Sequence, residues 1–67
     1  MKQVKTNCQD IETALDLLDR ADEYYGYYTP VIDAIQYLLN TRSMHYAPAW
    51  VTKEAAALIA AGDCVAP

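Results

Sequence analysis

The sequence predicts a small all-α domain of three short helices around one core. Two observations carry that reading. Apolar residues recur at helical spacing behind residues that cap helices well, and the only two glycines, Gly26 and Gly62, each fall just past such a segment. Punctuation around Gly26 to Pro30 and around Ser43 to Pro48 divides the 67 residues into three pieces. A chain of this length holds a single small domain, here residues 1–67, with 1–6 and 63–67 expected as flexible ends.

The first helix is expected over residues 7–25. Thr6 with Gln9 three residues on fits a capping box, each side chain satisfying one orphan backbone N–H. Ile11, Ala14, Leu15, Leu18, Ala21 and Tyr25 then fall at helical spacing, and Gly26 supplies the stop.

The second helix is expected over 30–42, with Thr29 as its cap and Pro30 at the first position, where a missing N–H costs nothing. Val31, Ala34, Ile35 and Leu38 share one side, widened by Ile32, Leu39 and Tyr37, while Asp33, Gln36 and Asn40 mark the expected wet side. So broad an apolar arc suits a helix lying between two neighbours. A chain this short has only ~3–5 kcal/mol of stability to spare, so association is an easy gain. Val31, Ile32, Ile35, Leu38 and Leu39 are accordingly the expected oligomer interface of a homodimer.

Ser43 to Trp50 has no period and contains Pro48, which reads as a loop packed by its own aromatics. Val51 suits a short extended piece. Thr52 is the expected cap of a third helix, 52–61, rich in alanine and stopped by Gly62.

Composition narrows the function. Nine acidic against five basic residues give a net charge of −4, which argues against binding nucleic acid directly through phosphate attraction. No apolar run is long enough for a membrane span, and the opening MKQVKTNCQD turns polar before any hydrophobic segment, so no secretory signal is expected. Two distant cysteines are too few for a disulfide scaffold, and a cytoplasmic location is the default. Cys8, Cys64 and the single His45 show no metal-ligand spacing, and two glycines cannot build a phosphate loop. Neither a metal, a cofactor nor a catalytic residue is expected, and the chain does not read as an enzyme.

The acidity is concentrated. Residues 8–25 hold six carboxylates against Arg20 alone. Glu12, Asp16, Asp19 and Glu23 follow steps of four, three and four, which aligns them in one stripe roughly opposite Ile11, Leu15 and Leu18. Like charges so spaced repel by a few tenths of a kcal/mol per pair, so helix stability does not explain them. A solvated outer face does, and so does a docking strip for a basic partner. The stripe is too open to split carboxylate pKa values into an acid and a base.

Aromatic residues form the second concentration. Tyr24, Tyr25, Tyr27 and Tyr28 bracket Gly26, joined by Tyr37, Tyr46 and Trp50, with no phenylalanine in the chain. Every ring therefore carries a polar tip, which suits half-wet boundaries and interface centres.

Residues 50–59, WVTKEAAALI, resemble the opening of the helix-turn-helix in excisionase-like and MerR-like regulators, through Thr52, Glu54, Ala55, Ala56 and Ile59. That resemblance implies a short strand leading into a helix. Only five residues follow Gly62, too few for the recognition helix that enters the major groove.

The expected function is therefore that of a small acidic protein-binding protein, an inhibitor or adaptor. It would dock on a basic protein surface through Glu12, Asp16, Asp19, Glu23, Tyr24, Tyr25, Tyr27 and Tyr28. By analogy of size and style, bacteriophages and mobile elements encode such proteins to block host machinery. The alternative is a DNA-associated regulator or co-regulator with a partial helix-turn-helix.

Overall fold

The computed structural model describes residues 5–24 and 29–67, apart from the side chains of 22–24 and 29. Helix α1 spans Ile11–Tyr24, α2 spans Thr29–Asn40, a 3-10 turn covers Met44–Tyr46, and α3 spans Ala49–Ala61. The all-α, three-helix expectation holds, and no strand occurs among the described residues.

The core joins all three helices. Its largest fully buried side chains are Leu18 from α1, Ile35 and Leu38 from α2, and Val51 from α3. Ala14, Ala21, Ala34 and Ala55 fill the spaces where the helices meet, small side chains that allow backbones to approach. Around this centre pack half-buried Ile11, Leu15, Leu17, Met44, Trp50 and Ile59. The wide apolar arc of α2 is explained by its position, since α2 packs against both α1 and α3.

That position changes the reading of the expected oligomer interface. Val31, Ile35 and Leu38 lie inside the chain's own core, and Ile32 and Leu39 are half-buried against it. Spacing alone shows that a face must be covered, and here α1 and α3 cover it.

Helix boundaries differ from expectation for identifiable reasons. Helix α1 starts at Ile11 rather than residue 7, because Asp10 is its cap. The Asp10 carboxylate accepts from the Thr13 N–H at 2.7 Å, and the Asp10 carbonyl accepts from Ala14 at 3.3 Å. Thr6 and Gln9 form no capping box there; the Thr6 hydroxyl donates to the Cys8 carbonyl instead, at 3.4 Å. Helix α3 begins at Ala49 rather than at residue 52. Pro48, at φ −56 and ψ 154, stands just outside the helix, where its ring obstructs nothing, and the Val51 N–H bonds to its carbonyl at 3.0 Å. Thr52 and Val51 are thus interior helical residues, and Val51 is core rather than extended.

Two helices end in the same way. Helix α2 stops at Asn40, two residues before its expected end, and Arg42 takes a left-handed φ of 56. The Ser43 N–H then reaches back to the Leu38 carbonyl at 2.9 Å and the Arg42 N–H to Leu39 at 3.2 Å, the paired closure of a Schellman motif. Gly62, at φ 86, closes α3 identically, with Asp63 donating to Leu58 at 2.8 Å and Gly62 to Ile59 at 3.1 Å. The expected stop at Gly26 lies outside what is described, and Thr29, expected as a cap outside the helix, is the first residue of α2.

The polar edge of α2 is a seam rather than a wet face. Both oxygens of Asp33 accept from the Asn7 N–H, at 3.0 and 2.8 Å, and one also accepts from the Cys8 N–H at 3.2 Å. Those donors precede α1, so Asp33 ties the N-terminal segment to α2. One turn on, Gln36 is only 4% exposed. Its amide nitrogen donates to the Asn40 side-chain oxygen at 2.9 Å and to the Val65 carbonyl at 3.0 Å, while its oxygen accepts from the Val65 N–H at 2.7 Å. A buried amide needs such partners, because leaving it unpaired costs about 1–3 kcal/mol. Residues 63–67, expected as a flexible end, thereby place Val65 on Gln36 and bury Cys64 in the core.

Candidate functional site

The outer face of α1 is built by the same periodicity that builds the core. Ala14, Leu18 and Ala21 turn inward, which turns Glu12, Asp16 and Asp19 to the opposite side, where all three are exposed. Glu23 belongs to the last turn of α1, and its side chain lies outside the described set. Arg20 pairs with Asp16 at 3.3 Å, the only ion pair among the described residues. Both partners are well exposed, at 72% and 64%, so the pair contributes little to stability and leaves the stripe strongly negative. Glu12, in the first turn, also suits the positive end of the helix dipole. Asp10 stands apart from the stripe. The Thr13 N–H that it accepts holds its carboxyl below the usual aspartate range, which gives it a structural task.

Of the tyrosine-rich corner, Tyr25, Tyr27, Tyr28 and the Tyr24 side chain lie outside the described residues. The other rings divide by burial. Tyr37 and Trp50 are half-buried against the core, whereas Tyr46 is exposed and its ring lies 4.2 Å from that of His45. This His45–Tyr46 pair, on the 3-10 turn, was not singled out by sequence reasoning, and adjacency in sequence is the only signal that could have found it.

Both thiols are free. Burial is the main influence raising the Cys8 thiol above its ordinary pKa, followed by the neighbouring Asp33 and Asp10 carboxylates. Burial also raises Cys64, with Asp63 adding to it. Neither environment favours the thiolate that nucleophilic chemistry requires. Among the described residues, no group of three or more His, Cys, Asp or Glu side chains is placed to hold a metal ion. Half-buried Glu54 leaves one carboxylate oxygen buried without a hydrogen-bond partner.

The segment that resembles a helix-turn-helix opening follows a different path. Trp50 and Val51 belong to α3 rather than to a leading strand, and after Gly62 the chain returns to Ile32 and Gln36 on α2. No described helix is long and apolar enough to cross a membrane. The chain matches no family model, no curated protein and no solved structure.

Proposed function

We propose that this chain is a small protein-binding protein, an inhibitor or adaptor, that docks on a basic surface of another protein through the outer face of α1. The observation that carries the reading is the exposed row Glu12, Asp16 and Asp19 on the side of α1 opposite its packed face. Fold stability does not require this row: its members repel one another, and the Arg20 pair answers only Asp16. A row of like charge on a rigid helix speeds encounter with an opposite surface and fixes its orientation. Tyr24, the last residue of α1, and Tyr25, Tyr27 and Tyr28, which follow it in sequence, complete the proposed surface with rings suited to interface centres.

The test compares two baits in affinity capture from a bacterial lysate: the wild-type chain and the Asp16→Lys/Asp19→Lys variant. Both substitutions are at exposed positions, so the helix is expected to survive. Glu12 is left in place because it favours the start of α1. A stoichiometric protein held by the first bait and lost from the second is the expected result. Equal capture by both baits would remove the stripe from the interface. Strong retention of the wild-type chain on heparin at low salt would point instead to the DNA-associated alternative.

A further inference from the structure

Residues 63–65 fold back over α2 in an arrangement with three parts. The hinge is Gly62, whose left-handed φ of 86 reverses the chain and whose α-carbon faces open space. The plug is Cys64, only 3% exposed, with its Sγ 3.8 Å from the Ile32 carbonyl. The latch is Gln36, whose amide pairs with both the N–H and the carbonyl of Val65. Val65 contributes no comparable side-chain anchor, being 52% exposed. Beyond the closure at Gly62, then, the segment is retained by the Cys64 N–H bond to the Leu58 carbonyl at 3.2 Å, a two-bond latch and one small buried thiol.

From this arrangement we propose that residues 63–65 are a strap latched by Gln36, and that opening of the strap, not unfolding of the helices, controls access to the Cys64 thiol. With Cys64 only 3% exposed, the closed strap shields Sγ from reagents in solution. A small disulfide therefore reacts only with the open form. The Cys64 thiolate attacks one sulfur of that disulfide, a mixed disulfide forms, and the other half leaves as a thiolate that takes a proton from water. The bulky adduct no longer fits beneath the strap, so the same reaction that reports opening also holds the strap open. Reciprocity follows, since whatever favours the closed strap must disfavour the adduct to the same degree. Burial beneath the closed strap also holds the Cys64 thiol above its ordinary pKa, so opening favours the reactive thiolate as well as exposing it.

The test uses the full chain and an aromatic disulfide reagent, with modification at Cys8 and Cys64 followed separately by peptide mass. Gln36→Met keeps a straight side chain of similar size and removes the latch from the helix side. Val65→Pro removes the N–H that Gln36 accepts, at a largely exposed position, and decides the matter if the first variant fails to fold. Two ordinary hydrogen bonds are worth roughly one to two powers of ten in an opening equilibrium. Labelling of Cys64 is therefore expected to quicken about tenfold or more, with Cys8 unchanged and Cys64 labelling insensitive to low urea. Parallel acceleration at both cysteines, or a wild-type Cys64 rate in Val65→Pro, would overturn the proposal. So would wild-type Cys64 labelling that rises with urea as steeply as global unfolding does.

Discussion

At the scale of single residues, the fold depends on a few polar groups whose tasks are set by what they touch. Asp10 begins α1 by accepting the Thr13 N–H, a bond that is stronger when the carboxyl is ionised. Because its carboxyl is held below the usual range, its contribution is present above the unfolded pKa of about 4 and is lost as pH falls through the folded value. Asp10→Ala is expected to lower the melting temperature at neutral pH, with the gap to wild type closing in acid; thermal melts across that range check it. Arg42 carries the opposite kind of effect, a side chain in a left-handed backbone position. Arg42→Gly removes that strain and should stabilise the chain by about 0.5–1 kcal/mol, a rise of a few degrees in a calorimetric melt. Asp10 was legible in the sequence, as an aspartate immediately before the first periodic apolar residue, although the Thr6–Gln9 pattern competed with it. Arg42 was not, because turn geometry there is imposed by the Ser43 and Arg42 bonds back to α2 rather than by a residue that prefers it.

At the scale of elements, α2 is the organising helix. It meets α1 and α3 with its apolar arc and holds both flanking segments with its polar edge, Asp33 on one side and Gln36 on the other. The arc was readable from spacing, as was the need for two neighbours. The roles of Asp33 and Gln36 were not, since they hold the flanking segments through backbone groups 25 or more residues away and any polar residue at those positions reads as a wet face. The start of α3 was missed for a related reason: a proline reads as a breaker, yet Pro48 stands where a helix tolerates it. Leu38 is the sharpest probe of this helix because it is one of the largest fully buried side chains of the core. Leu38→Ala should cost about 2–5 kcal/mol, comparable with the whole stability of a domain this small, about 3–5 kcal/mol. Circular dichroism should then show a chain largely unfolded at room temperature. Ile35→Asp, which buries a charge in the same core, should unfold the chain at every protein concentration, whatever its oligomeric state.

At the scale of the whole molecule, the packing and the charge are two sides of one pattern. The residues that α1 spends on the core fix which way Glu12, Asp16 and Asp19 face, and the packed helix holds them in a row. The row and its exposure were both readable from periodicity, because a single-sided helix leaves no other place for them. What the periodicity of α1 does not encode is the placement of the tyrosines at 27 and 28, which follow Gly26 outside its apolar repeat. The proposal that this face docks on a basic protein makes a demand that a merely solvated face does not. Its contribution to affinity must be electrostatic, and therefore lost in salt. The most direct test measures the dissociation constant of the captured partner for wild type and for Asp16→Lys/Asp19→Lys, from about 0.05 to 0.5 M salt. Docking through α1 predicts at least tenfold weaker binding of the variant at low salt, with the two curves converging as salt rises. Equal affinities across the series, with the same salt slope, would contradict it.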